Sequence, residues 1–239
     1  MKHLRWRIEH AQIVHLDDIA RIAHLGILPS MQPSHATSDM RYAEARLGPE
    51  RLRGAYAWNS MLAAGVAALP MGSDFPVESA NPFWGMYAAI ARQDPDGQPD
   101  GGWRPWEVSS FGDGVKSRLT MRLTSTDLSS GATCGVLQTL TRGQALRGYT
   151  LDAAYAAYQE EWVGSIAVGK RADFVVIDRD ILAAPTALDV ARTTVLATLV
   201  DGECAYCTEV LCAELCPSPS PTAAADGDAA PAEHAHDEL

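Results

Sequence analysis

Short apolar runs alternate with segments of helical spacing over the first 92 residues of the chain. The apolar runs are 5–13, 26–33 and 66–74, and the segments with helical spacing are 17–26, 39–47, 57–65 and 82–92. Two of the helical segments end in glycine, which is typical of a helix C-terminus. Strand and helix alternating at this spacing predict βα units and a parallel sheet.

Polar side chains lie at the ends of the three predicted strands. His10 ends the first strand, His35 follows the second in a predicted loop, and Asp74 ends the third. In a βα barrel, catalytic groups lie at the C-terminal ends of the strands, so these residues are candidates for a catalytic site, with Asp74 as a metal ligand or proton carrier. Simpler interpretations stay open: an interior histidine for His10, a solvated loop histidine for His35, and a helix N-cap or turn residue for Asp74.

The second half of the chain has a different pattern. Residues 107–140 have no clear period and are rich in Ser, Thr and Gly, which predicts an inserted loop. Residues 141–160 predict a helix with a threonine N-cap and a bend near Gly148. Residues 164–180 and 195–206 are rich in β-branched side chains and predict strands, the second with an Asp-Gly turn.

Composition and charge exclude some function classes. The 239 residues are 47% hydrophobic and 21% charged, which is typical of a globular protein. The formal net charge is −11, and residues 193–239 hold nine of the 30 acidic residues and neither Lys nor Arg. We expect no nucleic-acid binding, which needs a basic patch, and no membrane span, which needs about 18 consecutive apolar residues. Beyond Cys216 the chain is Pro, Ala, Ser and acid, which predicts disorder.

The two ends of the chain carry different targeting signals. Residues 236–239 read HDEL, a retrieval signal of the endoplasmic reticulum, whereas the first residues include no apolar segment of a secretory signal peptide. Retrieval acts only on proteins that have entered the lumen, so we expect the true N-terminus, with a signal peptide, to be missing. The protein would then reside in the endoplasmic reticulum lumen and bind a retrieval receptor; otherwise we expect it to be cytoplasmic.

Four cysteines lie close together near the end of the chain. They are Cys204, Cys207, Cys212 and Cys216. In an oxidising lumen we expect them to form two local disulfides, and in a reducing cytosol to remain thiols. Metal binding is the alternative, although the spacing fits neither a zinc nor an iron–sulfur pattern well.

Several motifs occur together in an order that resembles one known family. They are RIEHAQ (7–12), SMQPSHATSDM (30–40), GSDFPVE (72–78), NPFWGMYAAIARQ (81–93), the segment 148–180 that contains GSIAVGKRADFVVID, and VLATLVDGE (195–203). This set is similar to the amidohydrolase superfamily, specifically amidohydrolase family 3, which includes N-substituted formamide deformylases. The resemblance covers most of residues 5–205 apart from the predicted insert.

The resemblance implies an α/β fold: the C-terminal part of a metal-dependent (β/α)8 TIM barrel plus strands of a small composite β-sandwich. Residues 1–160 would be a partial barrel, with strands six to eight and the inserted loop at about 107–140. Residues 161–206 would be the C-terminal sandwich strands, and residues 207–239 a Cys-rich segment with a disordered acidic tail.

The resemblance also implies a site. His10 and Asp74 would bind one or two divalent ions, Zn²⁺ or a similar metal, and Asp74 would also transfer a proton. His35 is a candidate for substrate contact. Such a metal polarises a carbonyl and lowers the pKa of water toward ~7, which would permit hydrolysis of a carbon–nitrogen bond, other than a peptide bond, in a small-molecule amide.

The remaining ligands of the family, an HxH pair, a Lys or Glu and a further His, are expected before residue 1. Catalytic zinc takes about three protein ligands plus water, so we expect this chain alone to be inactive. The alternative hypothesis is a truncated, non-catalytic luminal binding or scaffold protein in which the Cys-rich tail is the functional part.

Overall fold

The computed structural model describes residues 4–104, 106–107 and 136–215 of the chain. Its helices are α1 (Leu16–Leu25), α2 (Pro33–Asp39), α3 (Ala43–Leu52), α4 (Trp58–Ala64), α5 (Pro82–Ala91), α6 (Arg142–Tyr149), α7 (Leu151–Ala156), α8 (Ala187–Ala191) and α9 (Glu209–Leu215). Its strands are β1 (Arg7–Glu9), β2 (Leu28–Ser30), β3 (Trp106–Glu107), β4 (Val136–Leu137), β5 (Phe174–Ile177), β6 (Val195–Val200) and β7 (Glu203–Cys207).

The first two strands form the parallel pair that the alternating pattern predicts. β1 pairs with β2, with Arg7 opposite Leu28 and Glu9 opposite Ser30. α1 connects the two strands and ends at Gly26, whose left-handed φ of 71° closes the helix. The predicted strand–helix–strand unit is therefore confirmed. Two parallel strands joined by a helix are the basic unit of a parallel α/β sheet.

Residues 66–73 run beside β2 and form a single parallel bridge to it, between Met31 and Met71. The Met31 N–H donates to Pro70 O at 2.9 Å, and the Gly72 N–H donates to Met31 O at 3.2 Å. Pro70 has no N–H, so it cannot donate a further ladder bond. The third strand predicted here is thus an extended segment with one parallel bridge.

The C-terminal strands form an antiparallel sheet in the order β5–β6–β7. Asp201 and Gly202 connect β6 to β7, and both have a positive φ, 53° and 83°. Two consecutive left-handed residues are what a type I′ hairpin turn requires, and Asp-Gly is a preferred pair for it. The predicted Asp-Gly turn is confirmed.

The helix predicted over 141–160 is two helices, α6 and α7. Thr141 caps α6, with its Oγ1 accepting the Gln144 N–H at 3.2 Å in a capping box. The chain leaves helical geometry at Thr150, with φ −124° and ψ −90°, two residues after the predicted bend. Gly148, where the bend was predicted, instead lies inside α6. The helix packs closely against Met71 at this point, since a Cβ on Gly148 would lie 2.7 Å from Met71 Sδ.

A continuous apolar core joins the helices to the parallel pair. Its buried side chains include Ile19 of α1, Trp58 and Met61 of α4, Met86 of α5, and Leu69 of the 66–73 segment. Burying a large apolar side chain contributes roughly 1.5–3 kcal/mol, so this cluster is the main source of stability in the region. α5 is central to the packing, because it contacts α2, α6 and α8.

The predicted insert at 107–140 extends too far at its second end. β4 pairs antiparallel with β3, and Gln138 just after β4 is fully buried, with its amide hydrogen-bonded to Ser60. Residues 136–140 therefore belong to the fold. Residues 108–135 of the insert and the predicted disordered tail beyond Cys216 lie outside the described residues. Within the described ranges, no helix has the length and apolar character needed to cross a bilayer.

Candidate metal centre

His10 occupies a strained turn directly after β1. Its φ is 67°, and that of Ala11 is 41°, a left-handed region that non-glycine residues seldom adopt. The Ala11 N–H donates to Glu9 O at 2.9 Å, which closes a three-residue turn around His10. Strain of this kind persists where surrounding contacts enforce it, and it is concentrated at functional sites.

Asp74 is held in a similar conformation at the end of the segment beside β2. Its φ is 57°, and its carbonyl accepts the Val77 N–H at 2.8 Å, which forms a turn. The backbone of Asp74 therefore forms a turn, as the simpler interpretation predicted. Its side chain is not used for that turn, so the carboxylate is available for chemistry.

His35 lies in the first turn of α2 and is buried. The prediction of a loop at this position was wrong, because β2 already ends at Ser30 and Pro33 starts a helix. Proline is favoured at the first helical position, where its missing N–H has no helical partner to lose. The Nε2 atom of His35 is buried and has no hydrogen-bond partner among the described residues.

The three side chains meet at one end of the parallel strands. His35 Nε2 lies 3.7 Å from Asp74 Oδ2, and His10 Nδ1 lies 3.9 Å from the same oxygen. The two imidazole rings stack, with centroids 5.6 Å apart and an interplanar angle of 18°. The His35 side chain is 8% exposed, whereas those of His10 and Asp74 are 44% and 37% exposed, so the cluster has a buried wall and an open mouth.

Gln32 orients His10 and was not singled out from the sequence. Its Oε1 lies 3.0 Å from His10 Nδ1, and an amide oxygen can only accept, so Nδ1 carries the proton. The lone pair of Nε2 is then free to bind a metal. Histidine ligands commonly donate their other N–H to a fixed oxygen in this way. A single Gln does not indicate a metal site in a sequence, and only its position next to Pro33 distinguished Gln32 from other glutamines.

The donor set fits a divalent ion. Two imidazoles and a carboxylate are ligands that Zn²⁺ and similar ions prefer. Tetrahedral zinc with bonds of about 2.0–2.1 Å places its donors about 3.3 Å apart, a few tenths of an ångström closer than the 3.7 Å between His35 Nε2 and Asp74 Oδ2. The buried, unpartnered Nε2 of His35 is the strongest indication, because a buried polar atom without a partner is destabilising.

The cysteines form a separate feature at the end of the small sheet. Cys207 of β7 is bonded to Cys212 of α9, with Cα atoms 5.3 Å apart. Cys204 is also disulfide-bonded. The fourth candidate, Cys216, lies outside the described residues.

Three curated proteins are similar to this chain. LONG AFTER FAR-RED 3 of Arabidopsis thaliana is 32% identical over 84% of this chain and 29% of its own length. The putative amidohydrolase YtcJ of Bacillus subtilis is 27% identical over 84% of this chain and 32% of its own length. The N-substituted formamide deformylase of Arthrobacter pascens is 30% identical over 84% of this chain and 30% of its own length. The chain thus spans less than a third of the length of each of these relatives.

Two solved structures share the fold. An uncharacterized metal-dependent hydrolase from Pyrococcus horikoshii matches with a TM-score of 0.54 and 25% identity over 75% of this chain and 30% of its own. Another from Pyrococcus furiosus matches with a TM-score of 0.52 and 26% identity over 74% of this chain and 28% of its own. The predicted fold class is confirmed: part of the α/β barrel fold with a small antiparallel sheet. The amidohydrolase family model (Amidohydro_3) matches residues 1–206, and the chain belongs to that family.

Proposed function

We propose that this polypeptide supplies part of the active site of a metal-dependent hydrolase that cleaves a carbon–nitrogen bond, other than a peptide bond, in a small-molecule amide. The observation that carries the proposal is the convergence of His10, His35 and Asp74, whose donor atoms lie within 4.8 Å of one another. The similarity to an N-substituted formamide deformylase and to metal-dependent hydrolases supports the reaction class.

His10, His35 and Asp74 would hold one divalent ion, Zn²⁺ or a similar metal. A bound ion of this kind polarises a carbonyl and lowers the pKa of water toward ~7. Gln32 would keep the His10 ring in the tautomer that leaves Nε2 unprotonated. His35 thereby gains a role as a third donor, in place of the substrate contact expected from the sequence alone.

Asp74 is the proposed proton carrier. Its Oδ2 faces both imidazoles, and about a third of its side chain is exposed at the mouth of the cluster, where water and substrate arrive. A carboxylate at that position would accept the proton of the attacking water and return it to the leaving nitrogen. The turn at this position uses the Asp74 carbonyl, which accepts the Val77 N–H, and not the carboxylate.

We further propose that this chain binds the ion and that turnover requires the remaining barrel strands. The relatives are more than three times as long as the region they share with it. In a (β/α)8 barrel, catalytic residues come from the ends of several different strands, and β1, β2 and the 66–73 segment account for only some of them.

Metal binding is tested by titrating the 239-residue chain with Zn²⁺ in a calorimeter and with Co²⁺ by visible absorption. We expect one equivalent to bind, and His35→Ala or Asp74→Asn to weaken binding at least tenfold. His24→Ala is the matched control, because His24 is exposed on α1 away from the cluster. Equal binding by the His35 and His24 variants would contradict the assignment.

Catalysis is tested in a chimera of the Arthrobacter deformylase in which residues 1–206 of this chain replace the region they match. Hydrolysis of an N-substituted formamide is expected, and Asp74→Asn should lower kcat by about 10²–10⁴-fold, the usual contribution of a general base. A chimera that folds and binds Zn²⁺ without any turnover would contradict the proposed reaction.

A second candidate function is favoured by the Cys207–Cys212 disulfide, which is typical of an oxidising compartment. It is the non-catalytic luminal binding protein, retrieved to the endoplasmic reticulum through HDEL. The zinc titration separates the two candidates, since a binding protein that uses the Cys-rich segment has no need of the histidine cluster.

A further inference from the structure

A cavity of about 330 Å³ opens beside the side chains of His10, His35 and Asp74. Its walls come from α2, the 73–79 loop, α5 and residues 93–95. Ser34, which precedes His35, and Ser73, which precedes Asp74, both line it. The cavity therefore begins next to the proposed reaction centre, although none of the three donor residues forms its wall.

One wall is a polar stripe along α2. Ser34, Thr37 and Ser38 line the cavity, and their spacing of three and four residues places them on one face of α2. Arg41, in the turn after the helix, lines the cavity too. Thr37 Oγ1 donates to Ser34 O at 2.9 Å, and Ser38 Oγ donates to Glu78 Oε1 at 2.6 Å. The Oγ of Ser34, by contrast, is buried without a hydrogen-bond partner among the described residues.

The carboxylates of the cavity already have partners. Glu78 accepts from Ser38, and Asp94 Oδ1 accepts the N–H groups of Asp96 at 3.0 Å and Gln98 at 2.9 Å. Arg41 makes no hydrogen bond or ion pair within the part of the chain that the structure describes. Among the charged residues that line the cavity, the Arg41 guanidinium is thus the one without a hydrogen-bond partner in the described part of the chain, and a guanidinium suits a carboxylate or another planar anion.

We propose that this cavity binds a carboxylate carried by the substrate, with Arg41 as its cation and Ser34 as an additional donor. The assignment of this ligand as a substrate rests on the proposed function. His35 lies in the first turn of α2 and Arg41 lies two residues past its end, and the helix rises about 6 Å from His35 to Asp39. The substrate class is thus a small amide whose acidic group lies several bonds from the carbon–nitrogen bond to be cleaved. Trp84 and Tyr87 on the opposite wall would contact the connecting apolar chain.

The test compares two ligands of equal length, 6-acetamidohexanoate and its neutral counterpart 6-acetamidohexanamide. Their binding to the full chain is measured by NMR titration, first in EDTA and then with Zn²⁺. In EDTA the acid is expected to bind about tenfold more tightly than the neutral amide, which is the contribution of one charge-assisted hydrogen bond at a partly solvated site.

Arg41→Gln should abolish that preference and leave the affinity for the neutral amide unchanged. Ser34→Ala should weaken binding of the acid by a few fold. Arg46→Gln is the matched control, because Arg46 is exposed on α3 and does not line the cavity. Thermal melts of the variants should match that of the parent chain, since both arginines are exposed.

Equal affinity for the two ligands, no binding of the acid up to millimolar concentration, or a preference that survives Arg41→Gln would overturn the proposal. The measurement in EDTA keeps it separate from the proposed function. A chain that fails to bind Zn²⁺ yet prefers the acid through Arg41 refutes the metal centre alone, and a chain that binds Zn²⁺ without the preference refutes the cavity assignment alone.

Discussion

Asp152 and Leu69, 83 residues apart in the chain, are joined by a buried hydrogen bond in which Asp152 Oδ2 accepts the Leu69 N–H at 3.0 Å. The other carboxylate oxygen accepts from Arg147 Nε at 2.8 Å. This contact fixes α7 against the extended segment that leads to Asp74. Asp152→Ala would leave the Leu69 N–H buried without a partner, so we expect the free energy of unfolding to fall by about 1–3 kcal/mol.

Urea denaturation measures that loss, and Arg147→Ala is its control. The Arg147 side chain is 57% exposed, so its ion pair is weakened by solvent and should contribute less than about 1 kcal/mol. If the two variants lose equal stability, the ion pair rather than the backbone contact holds the segment.

Gly148 and Gly143 lie in the same helix and have opposite surroundings. A Cβ on Gly148 would lie 2.7 Å from Met71 Sδ and 3.1 Å from Leu69 O, whereas nothing lies within 4 Å of one on Gly143. Gly148→Ala should therefore force α6 away from the 69–71 segment and destabilise the protein by about 1–3 kcal/mol. Gly143→Ala should stabilise it by up to about 1 kcal/mol through helix propensity. Thermal melts of both variants test the pair, and a neutral Gly148→Ala would contradict this packing.

Local features of this fold could be predicted from the sequence, because short-range chemistry determines them. The Asp201-Gly202 turn, the Thr141 cap and the closing Gly26 each depend on one or two residues whose backbone preferences are strong. The ends of β1 and of the 66–73 segment followed from the alternation of apolar and polar residues, and they place His10 and Asp74 together.

Features that depend on distant packing could not be predicted. Gly148 was interpreted as a bend, although its small size is required by Met71, 77 residues earlier in the chain. Pro33 was interpreted as the end of a strand, although proline also begins helices, and this choice placed His35 in a loop. The burial of His35 beside Asp74 depends on how α2 packs, which no local pattern indicates.

Gln32 offers a test of the metal centre that leaves all three donors in place. Its Oε1 holds the Nδ1–H of His10, and loss of such a supporting contact typically costs 10–100-fold in metal affinity. Gln32→Ala is expected to raise the Kd for Zn²⁺ by about tenfold or more, measured by competition with a chelator. Gln32→Glu, which keeps an acceptor at this position, should restore most of the affinity. A Gln32→Ala variant with unchanged affinity would show that Gln32 does not orient the ligand.

Tyr149 makes the stability of the site sensitive to alkaline pH. Its hydroxyl donates to Gly72 O at 3.2 Å, two residues before Asp74, and burial, followed by the charge of Glu78, raises the pKa of Tyr149 above its usual value of about 10. The folded state therefore favours the neutral phenol. The resulting stabilisation is complete below about pH 10 and is lost as the pH rises toward the raised pKa.

Between pH 10 and 12 we expect the free energy of unfolding to fall, with Tyr149 contributing up to about 1.4 kcal/mol per pH unit. Tyr149→Phe should reduce this slope without removing it, because burial also raises the pKa of Tyr56. Tyr206→Phe, at an exposed position, should leave the slope unchanged. Urea midpoints measured across this range decide the matter: parallel curves for the parent and Tyr149→Phe would mean that Tyr149 ionises as freely in the folded chain as in the unfolded one.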